Sequence, residues 1–460
     1  MKRQMRLNAV DMNSLGCCHG LWTHPLDQTS TYKTLEYWTQ QARVLERGKI
    51  DSLFIADVWG VYDVYGGNAD AAIRRAVEFP VCDPFLVVPA MALVTEHLCF
   101  GVTGNVTYEP PFALARRVST LDHLTKGRFA WNIVTGYLDS AARAFGKEVQ
   151  ASHEERYAMV EEYMDVVYQL WESWEPDAVV CDKTAGVFAH PEKVHKVRHK
   201  GKYFNVEAIH LCEPSPQRTP VLFQAGSSTS GRAFAARHAE CAFISGITPQ
   251  AVKNIVTSIR SQAAESGRDP SDVRIFTTIS AVIGKTDAEA QAKFEEYTSY
   301  VNVEGVLALY AGYTDIDFAG VDLDAPMEHV ESNAVQTFME SFTKSEPGRV
   351  WTLRQIAEFL GVGGISPVLV GSPQTVADGL ERWMNESGVD GFNVCYSVGP
   401  VDMVDFVDLV IPELQARGVY QTEYAPGTYR EKLFGQGRCH LPCGHPGAKI
   451  REQWATSPAQ

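Results

Sequence analysis

The chain has 460 residues, with 41 Lys and Arg against 56 Asp and Glu (formal net charge −15) and with 45% hydrophobic and 21% charged residues. That is a globular composition with enough chain for a large core, either roughly three average domains or one α/β barrel with insertions. The acidic balance argues against nucleic acid or an anionic membrane as main partner, and no run approaches the ~20 apolar residues of a membrane span.

The opening residues Met1-Lys2-Arg3-Gln4-Met5-Arg6 are charged but lack the apolar run of a secretory signal. Ten cysteines are scattered, several in apolar runs such as His97-Leu98-Cys99-Phe100. Both features fit buried reduced thiols in a cytoplasmic protein.

In chain order, a first strand is predicted over 6–13, then a helix over 32–47 closed by Gly48, and a second strand over 52–56. After a long segment, 59–82, Asp83-Pro84 opens a helix over 84–96, and a third strand follows over 98–106. The fourth strand is expected at 128–134 and a long helix at 153–171. The segment 175–219 carries a hairpin around His199-Lys200-Gly201-Lys202. Strands at 221–224, 241–245 and 274–283 follow, with a helix over 249–264 between the last two. A third long segment, 285–366, precedes a helix over 373–387, a strand at 391–396 and a helix over 402–417. Eight apolar strands interleaved with helices predict an α/β fold, a (β/α)8 barrel. The expected organisation is one domain over 1–460 with insertions at about 59–82, 175–219 and 285–366. The polar, Gly/Pro-rich tail 418–460 is expected on the surface, against solvent or a neighbouring subunit.

In a barrel, segments that follow strands gather at the C-terminal face, where sites form. Asp57 follows the apolar strand Leu53-Phe54-Ile55-Ala56. On the residues alone, a ligand contact and a helix cap or loop salt bridge stand level. Thr103 sits among small residues that let a ring approach the backbone, yet Thr is also an ordinary strand former. Asn132, inside the strand Ala130-Trp131-Asn132-Ile133-Val134, needs partners if buried, from a ligand edge or a neighbouring loop. His153 and Tyr157 share a helix face, a spacing that commonly means packing. Ala225-Gly226-Ser227-Ser228-Thr229-Ser230-Gly231-Arg232 joins a strand to a helix, and small residues and hydroxyls there make an anion site or simply a well-capped helix.

Several segments then resemble one known group. These are His19-Gly20-Leu21-Trp22, Leu45-Glu46-Arg47-Gly48-Lys49-Ile50-Asp51, Tyr62-Asp63-Val64-Tyr65-Gly66, Ser119-Thr120-Leu121-Asp122-His123-Leu124-Thr125-Lys126-Gly127-Arg128, His153-Glu154-Glu155-Arg156-Tyr157, Pro214-Ser215-Pro216-Gln217-Arg218-Thr219-Pro220, Gln224-Ala225-Gly226 and Gly427-Thr428-Tyr429-Arg430-Glu431-Lys432-Leu433-Phe434-Gly435. Their order and spacing resemble the flavin-dependent monooxygenases of the bacterial luciferase superfamily. The nearest branch is that of nitrilotriacetate monooxygenase component A, dibenzothiophene sulfone monooxygenase and long-chain alkane monooxygenase. The resemblance implies a (β/α)8 TIM barrel that binds reduced FMN (FMNH2) and uses O2, through a flavin peroxide, to oxygenate a small apolar or aromatic compound. It also implies a homodimer or homotetramer. By the same resemblance Asp57, Thr103, Asn132, His153, Tyr157, Gly226, Ser227 and Ser228 contact the cofactor, with the phosphate at the serine turn.

A flavin peroxide needs a dry pocket with a few donors and a controllable proton. Cys17, Cys18, His19, Trp59, Tyr62 and Tyr137 supply residues of that kind near the mouth, and His19, Tyr62, Asn132 and Tyr137 are the candidates for catalysis. A lone His in an apolar stretch is more often a satisfied structural residue than a catalytic one. His195 and His199, and the tract Cys439-His440-Leu441-Pro442-Cys443-Gly444-His445, have metal-like composition without zinc spacing, so no metal is expected. No G-x-G-x-x-G opens a helix after a strand, so FMNH2 is expected from a separate NAD(P)H:flavin reductase. The alternatives are a deazaflavin-dependent oxidoreductase of the same superfamily and a flavin-binding subunit without turnover. In the segment 59–82 the aromatic residues favour an apolar or aromatic substrate, whereas Arg74-Arg75 either bind a carboxylate or face solvent.

Overall fold

The computed structural model describes residues 3–16, 21–226, 228–326, 350–364 and 366–456. Its centre is a closed ring of eight parallel strands: β1 (Arg6–Met12), β2 (Ser52–Ala56), β3 (Cys99–Asn105), β4 (Phe129–Val134), β5 (Val221–Ala225), β6 (Cys241–Ile244), β7 (Arg274–Ile283) and β8 (Gly391–Cys395). Each pairs with the next, and β8 returns to β1, so the sheet leaves no edge in the ring. With helices outside it, this is the (β/α)8 barrel expected from the sequence. Each of the eight expected strands is present within about two residues of its expected ends.

Alternate side chains divide between two cores. Inside the ring, Val10, Phe54, Cys99, Ala130, Phe223, Cys241 and Phe276 fill the lumen. Outside it, Leu7, Leu53, Phe100, Trp131, Leu222 and Ile275 meet the helices, among them Leu35–Arg47, Pro111–Leu124, His153–Glu172 and Pro373–Ser387. Thr34, Ser152, Ser228 and Ser372 cap helix N-termini through their hydroxyls. The expected helix over 84–96 is instead a 3-10 turn, Pro84–Leu86, followed by a short helix, Val88–Leu93. Pro89 has no N–H to donate, so the helix restarts with it in the first turn.

The long segments carry further elements. Two antiparallel hairpins, Val179–Asp182 with Val187–Ala189 and Val197–Lys200 with Asn205–Ala208, occupy the stretch before β5. The segment after β7 contains the helices Asp287–Tyr300, Val303–Thr314 and Leu353–Gly363. The strand Val368–Gly371 then pairs with the outer half of β7. Among the described residues no helix is long and apolar enough to cross a membrane.

The tail departs from expectation. Rather than lying on the surface, its helix Tyr429–Phe434 closes the N-terminal end of the barrel. Tyr429 enters the lumen cluster, stacks on Phe223 at 6.2 Å and donates to Ser52 Oγ at 3.0 Å. Ser52 in turn donates to Asn8, and Asn8 donates to Asn393, so a chain of polar groups crosses this end of the barrel. Arg430 is 1% exposed and grips Glu240 at 2.6 and 2.9 Å. Composition made the segment look peripheral, but one aromatic and one guanidinium suffice to anchor it.

Candidate active site

The cleft lies at the opposite, C-terminal end, where the ends of β2, β3, β4 and β5 meet the starts of two helices. Asp57, Asn105, Tyr137, His153, Tyr157, Gln224, Gly226 and Ser228 line it. A second hollow shares Asp57, Val58, Trp59 and Asn105 with the first and extends to Thr103, Cys82, Phe85 and Phe145. Thr103, Tyr137 and Asp57 therefore come together with His153, Tyr157, Gly226 and Ser228 from five separate stretches of chain. His19 and Ser227, with Cys17 and Cys18, lie outside the described residues.

One wall is a helix start. Ser228 caps the helix Thr229–His238, accepting from Gly231 N at 3.1 Å, and its Oγ lies 3.3 Å from His153 Nε2. His153 begins the helix His153–Glu172, so that two helix N-termini face the same space. Their free N–H groups and dipoles favour an anion despite the overall negative charge. Tyr157 lies one turn on, its ring 4.9 Å from that of His153, and its hydroxyl accepts from Gln224 Nε2 at 3.4 Å. A Cβ on Gly226 would stand 2.7 Å from Gln224 Nε2, so a side chain there would push Gln224 aside.

The floor is polar and under-satisfied. Asn132 and Thr103 point into the lumen on adjacent strands, and Asn132 Nδ2 donates to Thr103 Oγ1 at 2.9 Å. Both are 2% exposed. Asn132 Oδ1 and Gln224 Oε1 are buried acceptors with no partner among the described residues. Folded chains rarely leave such atoms bare, so each calls for a donor from water or from a ligand. The rim of a flavin carries ring N–H groups as well as acceptors, and its phosphate suits the helix starts. The donor set therefore fits a flavin mononucleotide.

Asp57 directly follows β2 and accepts from Trp59 Nε1 at 2.8 Å. Burial pushes its carboxyl up from the ordinary 3.8 to about 7, opposed by the Trp59 bond and assisted by the charge of Asp83. Trp59 belongs to an aromatic wall in which Phe145 stacks on both Trp59 (5.3 Å) and Tyr108 (4.4 Å). Tyr62 sits behind the cleft and shares a proton with Tyr137 at 2.6 Å between hydroxyl oxygens. Tyr62 also meets Glu78 at 2.5 Å, and Glu78 accepts from Tyr313 at 3.1 Å. Nothing local in the sequence marks Glu78 or Tyr313 as facing a site. Arg74 and Arg75 both pair with Glu304, which leaves no role for them in the cleft. His195 bonds Glu175 and His199 bonds Glu162, each as part of the hairpin region.

The sequence pattern described as "Luciferase-like monooxygenase" matches residues 19–391. The chain is 51% identical over 456 residues to a dimethyl-sulfide monooxygenase of Hyphomicrobium sulfonivorans, covering 99% of this chain and 95% of that one. It is 46% identical to a long-chain alkane monooxygenase of Geobacillus thermodenitrificans, covering 98% and 99%. Among solved structures, a riboflavin lyase with modified FMN and riboflavin superposes with a TM-score of 0.91 at 35% identity, over 97% of this chain and 99% of that one.

Proposed function

The chain belongs to the luciferase-like monooxygenase family and is a flavin-dependent monooxygenase; from that premise we propose that it takes FMNH2 from a separate reductase and uses O2 to oxygenate a small apolar compound. The observation that carries the proposal is the meeting of two helix N-termini with the bare amide oxygen of Gln224 around one cleft, above the buried Asn132 that is bonded to Thr103 of the adjoining hollow. When bound, reduced flavin supplies the electrons with which one atom of O2 is transferred to substrate and the other leaves as water. Ser228, His153 and the N–H groups beside Gly226 hold the phosphate. Asn132, set by Thr103, accepts from the ring edge. Tyr157 fixes Gln224, and Asp57 closes the side nearest Trp59. Tyr137 and Tyr62 hold a proton at the inner wall, and the stack of Trp59, Phe145 and Tyr108 excludes water. In this reading the whole chain acts as one barrel unit whose insertions shape the mouth.

The relatives named above act on dimethyl sulfide and long-chain alkanes. A dialkyl sulfide is therefore the first compound to test. Enzyme supplied with FMNH2 under air, with a panel of dialkyl sulfides, alkanes and simple aromatics, should give mass-spectrometric products that carry one oxygen from labelled O2. Tight deazaflavin binding with hydride transfer and no oxygen consumption would replace this reading.

Asp57 gives a pH test. Its carboxyl is neutral in the folded protein up to about pH 7, whereas the ordinary value is 3.8. Its contribution to stability is thus complete below the ordinary value and is lost as pH rises through about 7. Asp57→Asn should raise the apoprotein's Tm above that of the parent at alkaline pH. The difference should close toward the acid side. Parallel Tm curves across that range would refute the assignment.

A further inference from the structure

Glu78 lies in the connection after β2, with a left-handed backbone (φ 45°). Its carboxylate meets two phenols from different parts of the chain, Tyr62 and Tyr313. Tyr62 in turn meets Tyr137, which also touches Tyr313 and lines the cleft beside Asp57 and Tyr157. The chain packs closely here: a Cβ on Gly312 would stand 2.1 Å from the Tyr62 ring, so Tyr62 holds its place through the absence of a side chain on the neighbouring helix. The groups that face Glu78 are Tyr62 from its own connection, Tyr137 from the stretch after β4 and Tyr313 from the helix Val303–Thr314. Charged groups on the packed elements are engaged elsewhere, Arg74 and Arg75 with Glu304 and Asp139 with the backbone of Gln150.

We infer that Glu78 is a positioning residue that sets, through Tyr62, whether Tyr137 offers the cleft a hydrogen-bond donor or an acceptor; this rests on the cleft being the flavin and substrate site. With Glu78 ionised, both carboxylate oxygens accept, one from Tyr62 and one from Tyr313. Tyr62 has then spent its proton on Glu78 and accepts from Tyr137, which turns only lone pairs to the cleft. One proton taken up by Glu78 reverses the chain. The acid donates to Tyr62, Tyr62 donates to Tyr137, and Tyr137 directs its O–H into the cleft, while Tyr313 still donates to the other oxygen. No bond other than O–H is made or broken, and the balance is one proton from solvent. Burial pushes Glu78 above the ordinary carboxylate range and pushes the three phenols well up, so the carboxyl is the group that titrates. A substrate that carries only lone pairs, such as a sulfide or ether, is favoured by the neutral form.

The test uses the FMN-loaded protein and dimethyl sulfoxide as probe, a small molecule that accepts hydrogen bonds and donates none. Binding is read from the flavin absorbance as pH is lowered from mildly alkaline to mildly acid. The parent should bind the probe about three- to tenfold more tightly on the acid side, the span of one hydrogen bond. Glu78→Gln, whose amide donates and accepts at once, should bind at the acid level at every pH, and Tyr137→Phe should bind weakly and without pH dependence. An infrared titration of the apoprotein should show a protonated carboxyl band missing from Glu78→Gln. A parent that binds without pH dependence, or a Glu78→Gln variant that keeps it, overturns the inference. Failure of the parent to bind FMN at all overturns the functional reading instead.

Discussion

Asn132→Ala should weaken FMN binding by about ten- to a hundredfold while leaving the apoprotein folded. The parent side chain is 2% exposed, its Nδ2 is bonded to Thr103 and its Oδ1 has no partner among the described residues. A buried acceptor without a donor costs roughly 1–3 kcal/mol, and each ~1.4 kcal/mol is a factor of ten in affinity. In the apoprotein that cost is already present, so deleting the amide removes an unfavourable term along with the bond to Thr103. In the complex the ring edge supplies the donor, and alanine forfeits the whole gain. Flavin fluorescence titration measures the affinity, and a thermal melt of the apoprotein checks the fold. Unchanged FMN affinity together with an unchanged melt would place the ring away from Asn132.

The second large effect lies at the other end of the barrel. Arg430→Ala should lower stability by about 3–5 kcal/mol, the cost of leaving a buried partner charge uncompensated. Glu240, itself 1% exposed, would lose both of its bonds to the guanidinium. The carbonyls of Thr219, Pro220 and Cys439 would lose their donors as well. Replacing both charges by apolar side chains of similar volume should recover most of the loss, because no lone charge then remains buried. Urea unfolding followed by far-UV circular dichroism gives the comparison. Folded Arg430→Ala protein should bind FMN as the parent does, since Arg430 lies at the end of the barrel away from the cleft. A loss under about 1 kcal/mol would show that the tail does not lock the barrel.

These two sites were legible in the sequence to different degrees. The barrel strands were visible because parallel strands covered on both faces are apolar throughout, and short runs such as Leu53-Phe54-Ile55-Ala56 stand out whatever surrounds them. The serine turn before the helix Thr229–His238 was visible because a cap and an anion site are both local in sequence. Asn132 was legible as a buried amide in need of partners, although its bond to Thr103 across two strands was not.

What the sequence determined by itself was therefore the strand set, the caps and the serine turn, all of which follow from periodicity and nearest neighbours. Only the tertiary structure decided which polar side chains meet. Tyr313 reaches Glu78 across 235 residues, and Tyr429 reaches Ser52 across 377. A lone Glu or Tyr in a long connection looks solvated until ring closure and helix packing remove its water, and only then must it find a partner. For the same reason a polar tail that looked peripheral became the floor of the barrel. The burial of one side chain depends on where the whole chain folds, which no window of neighbouring residues records.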